Sequence, residues 1–359
     1  MQITRIRLQN YRNISFVDLS FSGLTQFFVG MNGQGKTNLL ESMGLLSALR
    51  SFRTQDTNTL LLAGESESRL VFDVDDEAFG ATEVSITLKR KGKEVLVDGE
   101  KVTRFRDFIG RFPTVVLSSQ DIQLLRGSPG IRRQWLNMAL SSANAGYYDL
   151  LRDYHKLLQE RNALLKSGVE SKEMESFEVL LCQKAALLRS ARKAEILEIE
   201  SRLKPIYEMV SPESESPELL YHPDSDASTE RDFMELIHKN RKRDRILKST
   251  QQGPHRDDIS IRLESRKARD FASEGQQRSM IISLKLAQLR YLQEARSTLP
   301  VLLADDVLGE LDHHRKEHFW NAVGESVQVL ATGTEVPNLH SRGKWEVFDV
   351  AEGGFENRV

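Results

Sequence analysis

"GMNGQGKT" occupies Gly30 to Thr37 and has the spacing G-x-x-x-x-G-K-[ST]. It follows the strand-like run "TQFFV" and precedes the helical run "NLLESMGLLSAL". That order matters, because a glycine-rich turn between strand and helix aims backbone N–H groups at phosphates beside a helix N-terminus. Gly30, Met31, Asn32, Gly33, Gln34 and Gly35, followed by Lys36, Thr37 and Asn38, are the expected cradle for a nucleotide. In such a loop the lysine reaches the β- and γ-phosphates and the hydroxyl holds Mg²⁺. The pattern points to an α/β fold that binds ATP with Mg²⁺.

A second stretch, "PVLLADDVLGELD" (Pro300 to Asp312), supports the first. Its apolar strand, Val301 to Ala304, delivers Asp305 at the C-terminal end, where a parallel sheet exposes its ligand-binding edge. Asp305 is expected to hold Mg²⁺ through water, and Asp306 to position or polarise an attacking water. With Lys36, and with Gln120 after the strand "PTVVLSS", they form the expected catalytic set.

"FASEGQQRSM" (Phe271 to Met280) opens a helical pattern with Ser273, Gly275 and Gln276. Ser273 and Gln276 have the spacing of a capping box. A helix N-terminus with Ser and Gly is also a second anion site. A P-loop fold completes its own nucleotide site without one. The expected client is the γ-phosphate of a nucleotide bound to another copy of the chain.

The 359 residues suit one large domain or two to three lobes. With 39% apolar and 28% charged residues the composition is that of a globular protein. Cys182 is the single cysteine, which excludes an internal disulfide and fits a reducing compartment. "MQITRIRLQNYR" lacks the apolar segment of a secretory signal, and no apolar run approaches the ~20 residues that span a bilayer. A soluble cytoplasmic protein without a membrane partner is expected. The net charge of −2 does not advertise nucleic-acid binding, but charge is unevenly spread. "KNRKRDRILK" (Lys239 to Lys248) is densely basic, whereas "SPESESPELLYHPDSDAS" (Ser211 to Ser228) is acidic and reads as a surface loop.

Residues 1 to about 112 alternate like strands, with hairpin turns expected at Lys91-Gly92 and Asp98-Gly99. The period then becomes helical. "YYDLLRDYHKLLQERNALL" and "MESFEVLLCQKAALLRSARKAEILEIESRL", broken by "KSGVESKE", predict a helical hairpin. Its arms of about 30 residues would reach ~45 Å. "DDISIRLES" returns to alternation, and a helix from about Glu274 to Ala295 leads to the strands "PVLLAD" and "VQVLAT". The expected organisation is a head with a mixed sheet and flanking helices, made of residues 1–112 with 251–359. A helical lobe, 113–250, is inserted into it.

"ASEGQQRS" resembles the Ser-x-Gly-Gln signature of ABC-type ATPase heads, which sandwich two ATPs across a head-to-tail pair, and "GELD" (Gly309 to Asp312) resembles their D-loop. More narrowly, the chain resembles the RecF family. The matching runs are "NYRN" (Asn10 to Asn13), "GMNGQGKTNLLES", "SFRT" (Ser51 to Thr54), "GSPGIRRQWLN" (Gly127 to Asn137), "GPHRDD" (Gly253 to Asp258), "ASEGQQR" and "LADDVLGELD". The resemblance implies an ATP-dependent homodimer on double-stranded, gapped or junction DNA. It also implies partnership with RecO and RecR in placing RecA, and slow hydrolysis that reopens the clamp. Gln120, after "PTVVLSS", takes the place of a Q-loop residue contacting Mg²⁺ or water; its plainer reading is a polar loop residue.

Two departures from ABC ATPases at large bear on rate. Asp306 stands where a glutamate is usual, and Thr332 or Thr334 stands where a switch histidine would follow "VQVLAT". Both fit the RecF pattern and imply slow turnover. "GPHRDD" reads only as a turn feeding "DISIRL", with no chemistry assigned. Lys239, Arg241, Lys242, Arg243 and Arg245 cannot all share one helical face, and a solvated helix accounts for them. Lys89, Arg90, Lys91 and Lys93 fall at a hairpin tip. A transporter's ATP-binding subunit places its signature far closer to the P-loop, and SMC proteins need much longer coiled-coil arms. A plain P-loop kinase or GTPase leaves Ser273 to Arg278 without a role. A non-catalytic ATP-gated DNA scaffold is the remaining alternative.

Overall fold

The computed structural model describes residues 1–78, 80–168, 172–211, 215–310, 313–336 and 345–358. The chain begins with β1 (Gln2–Tyr11), β2 (Ile14–Ser20), β3 (Thr25–Val29) and helix α1 (Lys36–Ala48). Next come β4 (Glu67–Asp76), β5 (Gly80–Lys89), β6 (Gly92–Val97), β7 (Glu100–Lys101) and β8 (Thr114–Ser118). A helical run follows: α2 (Gln123–Arg126), α3 (Pro129–Ala143), α4 (Ala145–Ser167) and α5 (Lys172–Val210). Then come β9 (Pro217–His222), α6 (Glu230–Leu247), β10 (Asp258–Leu263), β11 (Arg266–Lys267), α7 (Ala268–Phe271) and α8 (Glu274–Arg296). The chain closes with β12 (Val301–Asp305), α9 (His313–Val323), β13 (Val329–Gly333), β14 (Glu346–Ala351) and β15 (Gly354–Asn357).

Two compact units result. The first comprises Met1–Asp121, Ile206–Ser214 and Ser279–Val359; the second comprises Ile122–Pro205 and Glu215–Arg278. In the first, an antiparallel sheet has the order β2-β1-β4-β5-β6-β7. Alternation builds it: Ile3, Ile6 and Leu8 of β1 are buried, while Arg5 and Arg7 face out to Asp18, Asp73 and Glu83. The other sheet of this unit, β15-β14-β3-β13-β12-β8, is parallel from β14 to β8. All five residues of β3, β12 and β13 are buried, as expected of parallel strands covered on both faces. The second unit holds α2–α4, α6 and α7, most of α5, and the sheet β11-β10-β9.

Several expectations are corrected. The acidic stretch read as a surface loop contains β9, which pairs antiparallel with β10. Its alternation, "PELLYH", is short and flanked by polar residues. The first hairpin turn is Arg90-Lys91, because Lys89 pairs with Gly92. Lys93 therefore lies on β6 instead of the tip, and its ammonium bonds the Leu49 carbonyl that ends α1. The expected boundaries at 112 and 251 and those of the units do not coincide. β8 joins the first unit through β12, and β10 joins the second through β9. Leu311 and Asp312 of the D-loop-like run, residues 169–171 of the helical break and residues 212–214 of the acidic stretch lie outside the described residues. Among the described residues no helix is long and apolar enough to cross a membrane.

Candidate functional site

Register brings the candidate residues to one sheet edge. Asp305 aligns with Thr332 and Ser118, while Gly333 aligns with Val29, the last residue before the loop. The C-terminal ends of β3, β13, β12 and β8 thus lie side by side. The loop at that edge has glycine where no other residue fits. Gly35 caps α1 with φ of 117°, a left-handed conformation that a Cβ disfavours. A Cβ on Gly30 would overlap the Val350 carbonyl oxygen. Gln34 anchors the loop from outside: its carbonyl accepts from Gly353 N at 2.9 Å and its side chain accepts from Glu352 N at 2.6 Å.

Lys36 and Asp305 are both buried beside this loop. The Lys36 ammonium donates to the Gly30 and Met31 carbonyls at 2.5 and 2.9 Å. Burial holds its pKa below the ordinary lysine value, and the charges of Asp306 and Asp305 oppose that. The Thr37 hydroxyl donates to Asp305 Oδ1 at 2.9 Å, and Thr332 donates to the same oxygen, also at 2.9 Å. Burial raises the Asp305 pKa, partly offset by these two hydroxyls. One buried carboxylate and one hydroxyl form the set Mg²⁺ uses when phosphates and waters supply its other oxygens. Thr37 and Asp305 fit that ion.

Asp306 is exposed and adopts φ of 56°, its N–H donating to Thr332 Oγ1 at 3.0 Å. Thr332 therefore ties the two aspartates together. Gln120 is exposed two residues beyond Ser118, in a turn fixed by Asp121. That carboxylate accepts from Ser118 N at 2.7 Å and pairs with Lys285 at 2.8 Å.

Sequence reasoning did not single out the charged group beneath the loop. Glu41 is fully buried on α1, one turn beyond Thr37. Arg12 grips it with two hydrogen bonds of 2.8 and 2.7 Å, Ser51 donates to it, and Arg53 lies 3.4 Å away. Arg53 also donates to Asn38 at 2.8 Å, and Asn38 to Asn13 at 2.8 Å. Asn13, with Arg12, and Arg53 belong to "NYRN" and "SFRT", so these two distant runs meet around the phosphate loop. The signal is their presence among the runs that carry the family resemblance; what they touch is set by tertiary structure.

The second unit holds the signature-like turn. Ser273 Oγ accepts from Gln276 N at 3.2 Å, and Gln276 Oε1 accepts from Ser273 N at 2.6 Å. The capping box is formed. Next to it, buried Gln277 accepts from Arg126 at 2.8 Å and donates to the Ala272 carbonyl at 2.9 Å. Gly275 leaves the turn without a side chain beside Ser273.

"GPHRDD" proves to be a junction of buried bonds in the same unit. Buried Asp257 receives Arg189 at 2.7 Å, Asp224 N at 2.9 Å and the Tyr221 hydroxyl. Asp258 is gripped by Arg132 at 2.8 and 2.9 Å, and the Pro254 carbonyl accepts from Arg192. His255 Nε2 donates to the Thr250 carbonyl at 3.0 Å, which leaves Nδ1 to accept from the Tyr154 hydroxyl at 2.7 Å. That pairing needs a neutral ring. Burial lowers the His255 pKa to about 4.

Comparison with known proteins identifies the family. The family described as RecF/RecN/SMC N-terminal domain matches residues 2–341. A protein of Leptospira interrogans serogroup Icterohaemorrhagiae serovar copenhageni, named DNA replication and repair protein RecF, is 32% identical over 364 residues, covering 99% of each chain. The solved structure of a recombination mediator protein, RecF-ATP of the RecFOR pathway, superposes with a TM-score of 0.92 at 28% identity, covering 99% of this chain and 97% of that one. An SMC head bound to the winged-helix domain of ScpA shares the fold alone, with a TM-score of 0.55 at 14% identity over 100% of this chain and 98% of that one. The fold is that of an ABC-type ATPase head with an additional helical unit, and the chain belongs to the RecF family.

Proposed function

We propose that the chain is an ATP-gated DNA clamp of recombinational repair. The first unit acts as the ATPase head and the second as the lobe that presents the signature turn to a second copy. ATP sits in the loop Gly30–Thr37 with Asn38 behind it, and Lys36 leaves its carbonyl partners for the β- and γ-phosphates. Bound Mg²⁺, held by Thr37 and Asp305, supplies charge neutralisation at the phosphates. Asp306 orients the attacking water and accepts its proton, with Gln120 as its neighbour on the adjoining strand end. Ser273, Gly275 and Gln276 of the partner copy complete the site at the N-terminus of α8, where the helix dipole favours an anion.

Closing on ATP grips double-stranded DNA at a gap or junction, in concert with RecO and RecR loading RecA. Slow hydrolysis then reopens the clamp. The observation that carries this reading is the pair of 2.9 Å bonds from Thr37 and Thr332 to Asp305, which joins the phosphate loop to two neighbouring strand ends. Light scattering with and without ATP, repeated with gapped DNA, tests it. The expected result is an ATP-dependent doubling of mass that gapped DNA strengthens. A monomer under all four conditions contradicts it.

A further inference from the structure

α6 is amphipathic in an unusual way. Its inner face is fixed: Phe233 and Ile237 are buried, Asp244 pairs with Arg161 of α4 at 2.8 Å, and Arg241 pairs with Glu178 of α5. Asn240 donates to Gln252 at 2.6 Å. The helix is therefore a rigid platform. Lys239, Lys242, Arg243 and Ile246 stand at i, i+3, i+4 and i+7, and all four are exposed. Helical spacing puts them on the face opposite Ile237 and Asp244.

Two features separate this face from an ordinary solvated one. A solvating surface mixes both signs, and the first half of α6 does so, with Arg231 paired to Glu235 at 3.1 Å. From His238 to Lys248, however, the sole acid is Asp244, and it is buried against Arg161. The outward charge is thus of one sign although the whole chain is at −2. In addition, Ile246 is 80% exposed within the same face. A large aliphatic side chain there gains nothing from water and suits a face that becomes covered.

We infer that the outer face of α6, through Lys239, Lys242 and Arg243, is a contact surface for the sugar–phosphate backbone of DNA. This inference rests on the clamp reading and specifies where the lobe meets its substrate. Charge complementarity selects the occupant. From Lys239 to Ile246 the helix rises about 10 Å at ~1.5 Å per residue, which matches roughly three phosphates of one strand at ~3.4 Å of duplex axis each. Exposed ammonium and guanidinium groups on long stems suit backbone phosphates, and phosphate contacts add affinity without sequence preference.

The test measures binding of a gapped duplex by fluorescence anisotropy, with ATP, across a series of salt concentrations. Each neutralised phosphate contributes ~0.9 to the slope of log K against log salt. The variant K239Q/K242Q/R243Q is expected to bind more weakly and to have a slope shallower by about 2 to 3. ATP-dependent dimerisation should be unchanged. The charge-conserving variant K239R/K242R/R243K should keep the wild-type slope. If the triple variant is unstable, Lys239→Gln and Arg243→Gln singly should each lower the slope by about 0.9. An unchanged slope and affinity in the neutralised variants overturns the inference and leaves an acidic protein segment as the client of this face. Absence of ATP-dependent DNA binding by the wild-type chain would instead defeat the clamp reading itself.

Discussion

Acid should loosen the second unit through one residue, His255. Its ring is held neutral between the Tyr154 hydroxyl and the Thr250 carbonyl, and burial lowers its pKa from 6.5 to about 4. Because the folded pKa lies below the unfolded one, the unfolded chain binds a proton between those values that the folded chain refuses. The stabilisation is complete above about pH 6.5 and is lost as pH falls toward 4. That interval, about 2.5 pH units at ~1.36 kcal/mol each, amounts to about 3 kcal/mol. Urea unfolding at pH 7.5, 6, 5 and 4, on the wild type and on His255→Gln, isolates the effect, since the other titrating groups cancel in the difference. Glutamine keeps an acceptor and a donor but does not titrate. The wild type should lose about 3 kcal/mol more than the variant across this range. Parallel curves for the two proteins would refute the reasoning and make His255 an ordinary surface-like histidine.

Other outcomes follow from the same geometry. Lys36→Met should abolish productive ATP binding in a direct titration, because the phosphates lose their mobile cation; undiminished affinity would remove the loop from the site. Asp306→Asn should keep ATP binding and the ATP-bound dimer while phosphate release falls by up to about 10²–10⁴-fold. Wild-type hydrolysis in that variant would shift the role to Gln120. Arg161→Met should destabilise the second unit by about 3–5 kcal/mol in urea, since it strands the buried carboxylates of Glu178 and Asp244. A loss below about 1 kcal/mol would mean that Arg241 and water take over the pairing.

What the sequence disclosed was local. The P-loop, the Asp305 strand and the capping box at Ser273 each lie within a run of a dozen residues or fewer, where spacing determines geometry. The parallel strands were legible because burial on both faces makes them uniformly apolar. Tertiary contacts were not legible. In sequence Thr332 reads only as a substitute for a histidine, yet it bonds Asp305 and receives Asp306 N. Glu41 gave no signal, because an acid inside a helix looks ordinary until Arg12 and Arg53 are seen to converge on it. "GPHRDD" had no assigned chemistry for the same reason: its partners Tyr154, Arg189, Arg192 and Tyr221 lie 36 to 101 residues away. β9 was hidden by the acidic and Ser-rich residues around it. The basic run cannot share one face, and the inward burial of Ile237 and Asp244 with the pairing of Arg241 to Glu178 shows which three of its cations do.

Everything proposed for the clamp depends on whether the turn at Ser273 serves a nucleotide held by another copy. The most direct test is Ser273→Arg, measured for ATP affinity by titration and for mass by analytical ultracentrifugation with ATP. Ser273 caps the start of α8 and belongs to the second unit, while the phosphate loop belongs to the first. The expected result is near wild-type ATP affinity in the monomer and no ATP-dependent dimer. Loss of ATP binding by the monomer, or an ATP-dependent dimer as strong as the wild type's, would contradict it.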